Sequence, residues 1–331
     1  MDRRAAVDLG FNSLRLRQAE QWQAEYSSHP YRIVVVRNGH IALEWQRGFD
    51  PDEKVTTRSV RKSFLSCLLG IAVEEGVIGS ADDCIVDYYP QMMDVPSNRG
   101  PKSGRYARPK DRDITFRQLI GNTSGYLKPG EFPGKRFHYQ SFGMNILQHA
   151  IATAYGLYDP LEPRRLPGVG VLLDERIRDP IGAGWGWEYP NQYRLQADAN
   201  VGVFGFNLHL LSSARDMARA GLLWLRDGEW EGKPIVPAEW LREATRTSEM
   251  IVANDNRSSW KYGLGFWTND RGEMWSDLPK DSFAAAGGGP HHVWVCRSLD
   301  LVVAQIPGNY DEGTEFANGG NVLRQIVHAL N

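Results

Sequence analysis

The sequence predicts an α+β fold in which both ends of the chain build one antiparallel sheet flanked by helices. Strand-like apolar runs occur near the N-terminus and again near the C-terminus, whereas the middle of the chain has many Pro and Gly residues and only short helical patterns. We therefore predict an α/β lobe from residues 1–57 together with 206–331. Residues 58–205 are predicted to form a mostly helical, loop-rich lobe, with a site in the cleft between the two lobes.

The strands are predicted from apolar, β-branched runs bounded by turn residues. Residues 31–37 and 40–46 flank Asn38-Gly39, a pair typical of the type I′ turn of a β-hairpin because both turn positions need a positive φ. Two further strands are predicted at residues 291–296 and 301–306. Tyr262–Trp267 is also interpreted as a strand.

The helices are predicted from apolar spacing and from start signals. The strongest predicted helix runs from Ser59 to Glu75, and a shorter one spans Phe142 to Ala154. Ser213-Ala-Arg-Asp resembles a capping box before the amphipathic run Met217–Leu225. A last helix is predicted from five spaced apolar residues: Val322, Leu323, Ile326, Val327 and Leu330.

Composition limits the possible functions of the 331-residue chain. It has 38 Lys and Arg against 40 Asp and Glu, a net charge of −2 that gives no electrostatic case for a nucleic-acid or anionic-membrane partner. No apolar run approaches the ~18 residues of a membrane-spanning helix. The partner we expect is a small molecule, and the sequence does not indicate the oligomeric state.

Cofactors and metals are not expected from the cysteine and histidine spacing. The three cysteines, Cys67, Cys84 and Cys296, have no C-x-x-C spacing, and no H-E-x-x-H element occurs, so we predict no disulfide framework, metal site or cofactor.

The first ten residues lack the apolar core of a secretory signal. The predicted location is cytoplasmic, or periplasmic if a signal was removed.

The segment around Ser59 carries the strongest chemical signal. Ser59 and Lys62 are three residues apart at the start of an apolar helical run, so both side chains lie on one helix face. A lysine can take the proton of a serine hydroxyl only when neutral, and burial and nearby positive charge favour the neutral form. The alternative is that Ser59 caps the helix and Lys62 is solvated. Ser-x-x-Lys recurs at Ser258–Lys261, so chance matches occur.

Two other segments offer groups that such a serine needs. The Tyr139 hydroxyl can both donate and accept a proton, although a buried tyrosine bonded to the backbone is the simpler interpretation. The run Ala284–Pro290 contains three consecutive glycines before a predicted strand. Consecutive glycines let the backbone come close to a ligand, and a backbone amide there could stabilise an oxyanion. The alternative is that this run is simply a flexible turn.

Taken together and in this order, these segments resemble the serine β-lactamase and penicillin-binding-protein superfamily, in particular its class C-like branch of esterases and 6-aminohexanoate-dimer-hydrolase-like amidases. Beyond the Ser-x-x-Lys element, the resemblance rests on blocks spread over roughly residues 30 to 330. These are Lys62–Gly76, similar to the nucleophile helix, Ile114–Gly125, similar to an "ITIRHLLTHTSG" block, Ser213–Trp230 and Ile235–Trp240.

The resemblance implies a β-lactamase/transpeptidase-like fold with a five-stranded antiparallel sheet, and it implies roles for named residues. Ser59 is the expected acylated nucleophile, Lys62 its base, and Tyr139 the proton relay to the leaving group and from the hydrolytic water. The Ser59 amide and one amide of Ala286–Gly288 are the expected oxyanion hole, with Gly288 the preferred second donor. The further expected substrate contacts are Ser141, Gly287, Gly289 and His291.

Departures from the family pattern bear on the substrate. Ser141 replaces the asparagine of the Tyr-x-Asn element, which removes an amide that could hold a substrate carbonyl. Ser282-Phe-Ala284 or Ala285-Ala-Gly287 occupies the place of the Lys-Thr-Gly or His-x-Gly element, whose cation normally holds a substrate carboxylate. His291 and His292 are candidate substitutes. The missing cation argues against penicillins and D-alanyl peptides.

The sequence thus favours a serine hydrolase of small esters or amides that acts through an acyl-enzyme. A β-lactamase or D-alanyl carboxypeptidase is the alternative within the same chemistry. A catalytically silent binding or scaffold protein is the alternative of another class, and the joint presence of Ser59, Lys62 and Tyr139 argues against it.

Overall fold

The computed structural model describes residues 1–50, 53–97, 100–190, 203–204, 207–308, 311 and 315–331, without the side chains of 315–319. Its strands are β1 (Tyr31–Arg37), β2 (His40–Arg47), β3 (Val55–Thr56), β4 (Gly186–Glu188), β5 (His209–Ser212), β6 (Glu229–Trp230), β7 (Lys233–Pro234), β8 (Trp267–Thr268), β9 (Ser282–Gly287), β10 (His291–Cys296) and β11 (Leu301–Gln305). Its α-helices are α1 (Ser13–Tyr26), α2 (Arg61–Glu74), α3 (Phe116–Ile120), α4 (Phe142–Ala154), α5 (Gly170–Leu173), α6 (Ala214–Leu225), α7 (Ala238–Ala244), α8 (Glu249–Asn254) and α9 (Glu315–His328).

The main sheet is built from both ends of the chain, and this prediction is confirmed. Its strand order is β2-β1-β11-β10-β9-β8, and every pairing is antiparallel. The β1–β2 hairpin turns at Asn38 and Gly39, whose φ angles of 50° and 77° match the predicted turn type. The sheet has six strands rather than the expected five, because the two-residue strand β8 adds to the free edge of β9.

The sheet separates two hydrophobic cores. Alternate residues of β1 face opposite sides, so Val34 and Val36 join the core around α2 and α6, while Ile33 and Val35 join the core around α1 and α9. A strand buried on both faces is apolar at every position rather than at alternate ones, and this is why β1, β10 and β11 are continuous apolar runs in the sequence.

Most predicted helices form where their start signals occur. Helix α4 spans the predicted residues Phe142–Ala154. Helix α6 begins at Ala214 after the N-cap Ser213, whose hydroxyl accepts a hydrogen bond from the Asp216 amide at 3.2 Å. Helix α1 was not predicted. It buries only Leu16, Ala19 and Gln23, and some of its apolar residues, such as Leu14, are exposed, so its sequence carries little apolar periodicity.

Two predictions differ from the structure or lie partly outside it. The strand predicted over Tyr262–Trp267 is wrong for most of its length. Gly265 has a φ of 87°, which bends the chain, and β8 begins only at Trp267. The predicted lobe boundary between residues 205 and 206 lies outside the described residues, and the division into lobes stays a prediction. No described helix is long and apolar enough to cross a membrane.

Candidate active site

Helix α2 places the predicted lysine in the interior of the protein. Every residue from Arg61 to Ala72 is buried, and Lys62 is only 1% exposed. Ser59 stands just before this helix in a 3-10 turn, Arg58–Val60, and remains partly accessible. The turn is anchored to β5, because the Thr57 amide donates to the Leu210 carbonyl at 2.8 Å. The site thus combines a reachable serine with a buried amine.

The structure brings Ser59, Lys62 and Tyr139 together. The Lys62 Nζ donates hydrogen bonds to Ser59 Oγ at 2.8 Å and to Tyr139 Oη at 2.7 Å. Helix α2 begins after Val60, and the Ser59 hydroxyl is bonded to the lysine, so the helix-cap interpretation of Ser59 does not describe this geometry. The Tyr139 hydroxyl contacts a side chain rather than the backbone.

The environment favours a neutral lysine beside a protonated tyrosine. Burial, followed by the neighbouring charge of Arg61, lowers the pKa of Lys62 well below its usual value. Burial also raises the pKa of Tyr139, although contact with Ser59 and the charge of Arg61 act in the opposite direction. A neutral lysine has a lone pair that can accept the serine proton, and a phenol of raised pKa keeps a proton to donate.

Aromatic packing fixes the ring of Tyr139. Its ring centroid lies 5.8 Å from that of Tyr262, at an interplanar angle of 83°, and 5.3 Å from that of Trp267. The Lys62 Nζ lies 4.1 Å from the centroid of the Tyr139 ring. Sequence reasoning missed Tyr262 and Trp267 as site residues, because they precede β9 in the chain and only the tertiary structure brings them to Tyr139.

The backbone on both sides of Tyr139 is tied to Asn122. The amide of His138 donates to the Asn122 carbonyl at 2.8 Å, and the amide of Gln140 donates to Asn122 Oδ1 at 2.9 Å. Asn122 has a φ of 55°, a conformation that asparagine adopts more readily than most residues. This positioning residue lies inside the block Ile114–Gly125 that carried the family resemblance, and that block was the available signal.

The glycine turn after β9 lies directly against Ser59. A Cβ on Gly287 would lie 2.9 Å from the Ser59 amide nitrogen and 2.7 Å from the Thr57 carbonyl oxygen, so this position accepts only glycine. A Cβ on Gly288 would meet nothing within 4 Å, so open space adjoins its backbone. The turn therefore combines a tight contact at Gly287 with free volume at Gly288, and Gly289 completes it at a φ of 79°.

The edge of β9 presents its backbone next to Ser59. The Asn269 amide donates to the Ser282 carbonyl, so the backbone groups of Ser282 face the β8 side. Alternate residues of a strand share an edge, and the amides of Ala284 and Ala286 therefore point the same way. In the described residues β8 pairs only with Phe283 and Ala284, which leaves the edge beyond Ala284 without a strand partner. Gly288 lies in the turn directly after β9, which ends at Gly287.

The two histidines after this turn are buried and neutral. Burial lowers the pKa of His291 to about 3, with the charges of His292 and Arg58 acting in the same direction. Burial lowers the pKa of His292 to about 4, and its Nδ1 lies 3.2 Å from the Pro290 carbonyl oxygen. Neither imidazole is a cation at neutral pH, so neither replaces the charge of a Lys-Thr-Gly lysine.

Ser141 and the second Ser-x-x-Lys copy have different surroundings. Ser141 is the partly exposed N-cap of α4, two residues after Tyr139, and its carbonyl accepts the Asn145 amide at 3.2 Å. The Ser258 hydroxyl donates to Asn256 Oδ1, and the described residues show no hydrogen bond between Ser258 and Lys261. Among the described residues, no cluster of three or more His, Cys, Asp and Glu side chains is arranged to hold a metal ion.

Comparison with known proteins finds one family over most of the chain. The Beta-lactamase family model matches residues 20–306. The 6-aminohexanoate-dimer hydrolase of Paenarthrobacter ureafaciens is 22% identical over 98% of this chain and 84% of its own.

Solved structures share the fold at low identity. A penicillin-binding-protein homologue from Caulobacter crescentus has a TM-score of 0.71 and 14% identity, over 96% of this chain and 97% of its own. A family VIII carboxylesterase has a TM-score of 0.65 and 16% identity, over 96% of this chain and 97% of its own. At these identities the structural likeness establishes the fold.

Proposed function

The chain belongs to the Beta-lactamase family and is a hydrolase, and from that premise we propose that it cleaves small esters or amides through an acyl-enzyme on Ser59. The observation that carries the proposal is the contact of one buried amine, Lys62 Nζ, with both Ser59 Oγ and Tyr139 Oη. A relative named 6-aminohexanoate-dimer hydrolase and a structural neighbour named as a carboxylesterase support ester or amide substrates.

Acylation begins with proton transfer inside this group. Neutral Lys62 accepts the proton of Ser59 Oγ as the oxygen attacks the substrate carbonyl carbon. Negative charge then develops on the carbonyl oxygen, and the amides of Ser59 and Gly288 stabilise it without having to reorganise. The glycine at 287 supports this step, because any side chain there would displace the Ser59 amide.

Tyr139 carries the proton to the leaving group. Its hydroxyl donates to the departing oxygen or nitrogen and regains a proton from the lysine ammonium that acylation produced. In deacylation the same chain works in reverse, so that a water loses its proton through Tyr139 and attacks the acyl carbon. The raised pKa of Tyr139 suits this relay, because the phenol is protonated between steps.

Covalent labelling tests the proposal. We expect a fluorophosphonate to add one adduct to the intact protein, and peptide mapping to locate it on Ser59. Ser59→Ala should lose the adduct and the hydrolysis of p-nitrophenyl acetate. Ser258→Ala is the matched control, because it removes the serine of the second Ser-x-x-Lys copy and should leave both intact. An adduct that survives Ser59→Ala would contradict the proposal.

The same assay separates the alternatives. The missing cation on β9 leads us to expect no hydrolysis of nitrocefin, whereas nitrocefin turnover through Ser59 would favour a β-lactamase or D-alanyl carboxypeptidase. Absence of any adduct and of any turnover would favour a silent binding or scaffold protein.

A further inference from the structure

Arg58, the residue before the nucleophile, extends from the same turn. Its side chain is exposed, and a Cβ on Gly287 would lie 3.0 Å from the Cβ of Arg58, so the two positions pack against each other. After the larger effect of burial, the Arg58 charge contributes to lowering the pKa of His291 on β10 and of His209 on β5. The Arg58 side chain therefore begins beside Gly287, in the same turn as Ser59.

The backbone of Arg58 is in an unfavourable conformation for an arginine. Its φ is 54°, in the left-handed region that glycine and asparagine adopt at lower cost than a bulky side chain. The turn that presents Ser59 requires this conformation, but it does not require an arginine. A long cationic side chain in a strained position beside a reacting group points to a use for that side chain.

Arg58 has no acidic partner in the described part of the chain, although the protein as a whole has a net charge of −2. Two further described cations lie beside residues of the proposed site. Arg61 is buried beside Lys62, and the Lys102 Nζ lies 5.9 Å from the ring of Phe142, which follows Ser141. The carboxylate of Glu188 lies 3.7 Å from His209 Nδ1 and forms no ion pair with Arg58 in the described residues.

These observations lead to a substrate class. We infer that Arg58 binds a carboxylate of the substrate, so that the hydrolase acts on esters or amides that carry a negatively charged group. A guanidinium matches a carboxylate with two parallel hydrogen bonds. The side chain begins next to the nucleophile and is long, so it suits a carboxylate several atoms away from the carbonyl that is attacked. The inference rests on the proposed function, because it takes Ser59 as the reacting group.

Two pairs of matched esters test the inference. Mono-p-nitrophenyl adipate and p-nitrophenyl hexanoate differ by a carboxylate at the end of the acyl chain. Para-acetoxybenzoate and para-acetoxybenzamide differ by a carboxylate on the leaving group. The readout is the ratio of kcat/KM for the charged ester to that for the neutral ester within each pair, because both esters of a pair depend equally on the acylation machinery.

Three variants test whether this ratio depends on the charge of Arg58. Arg58→Asn removes the charge and tolerates the left-handed backbone, and Arg58→Lys keeps the charge. Arg17→Gln is the control, because Arg17 is an exposed arginine of α1, which packs on the opposite face of the sheet. We expect Arg58→Asn to lower the ratio by about tenfold or more in at least one pair. Arg58→Lys should lower it less, and Arg17→Gln should leave it unchanged.

The outcomes separate this inference from the proposed function. If the unaltered protein hydrolyses the esters through Ser59 but Arg58→Asn changes neither ratio, the role of Arg58 is overturned and the serine hydrolase stands. If no ester is hydrolysed and Ser59 takes no fluorophosphonate, both are overturned.

Discussion

Arg61 and Lys62 show how adjacent residues set the chemistry of the site. Burial is the main cause of the lowered pKa of Lys62, and the charge of Arg61 adds to it. Because the neutral amine is the proposed base, acylation should increase with pH through the pKa of Lys62, which lies well below the usual value for lysine. The raised pKa of Tyr139 should prevent an alkaline decline over the same range.

Arg61→Met tests this electrostatic origin. Removing a positive charge beside Lys62 should raise its pKa, so the rising limb of kcat/KM for p-nitrophenyl acetate should move to higher pH. Burial remains in the variant, and the shift should therefore be partial. Arg17→Gln, with the same loss of charge far from the site, should not move the limb. A limb that stays in place or moves to lower pH in Arg61→Met would contradict Lys62 as the base.

Tyr139 is proposed as a relay, and its hydroxyl can be removed with little change in packing. Tyr139→Phe keeps the ring between Tyr262 and Trp267 but removes the group that contacts Lys62 Nζ. We expect kcat to fall by about 10²- to 10⁴-fold, the range for loss of a general acid–base group, with little change in KM. Steady-state kinetics with p-nitrophenyl acetate measures both values, and an effect on KM alone would exclude the relay role.

At the scale of elements, strand β9 is in close contact with the turn that carries Ser59. Gly287 lies so close to Ser59 that even a methyl group would have to displace the turn. We expect Gly287→Ala to reduce kcat/KM by about 10²-fold through a displaced nucleophile and oxyanion hole. Gly288→Ala is the matched comparison, because open space adjoins that position. Equal effects of the two substitutions would argue against a specific contact at Gly287.

At the scale of the whole molecule, α2 connects the site to the main core. Phe64 is fully buried, with its ring centroid 5.2 Å from that of Trp185 and 5.3 Å from that of Trp224 on α6. One side chain thus joins α2, the segment before β4 and a helix packed on the sheet.

Phe64→Ala should therefore lower the free energy of unfolding by about 3–5 kcal/mol, the usual cost of truncating a buried phenylalanine. Urea denaturation measures the change, and Phe64→Leu, which leaves a smaller cavity, should lose less. A loss below about 1 kcal/mol for Phe64→Ala would mean that the three elements do not depend on this contact.

The sequence by itself determined the pieces that depend on local spacing. Ser59 and Lys62 meet because they are three residues apart at a helix start, and the Asn38-Gly39 turn and α4 form where the sequence predicted them. The strand-like runs at both ends of the chain also predicted the sheet that both ends build. The family resemblance gave Tyr139 its expected role. Helix α1 was not predicted, because its few buried residues do not produce a clear helical spacing of apolar residues in the sequence.

Only the tertiary structure decided the features that join distant parts of the chain. Tyr262, Trp267 and Asn122 surround Tyr139 from separate segments, and the tight contact of Gly287 with Ser59 crosses more than two hundred residues of sequence. The protonation states of Lys62 and His291 could not be predicted from the sequence either. Burial is the main cause of both pKa shifts, and burial is a property of the packed molecule. Local order follows from neighbouring residues, whereas a reacting group takes its environment from residues that only folding brings near.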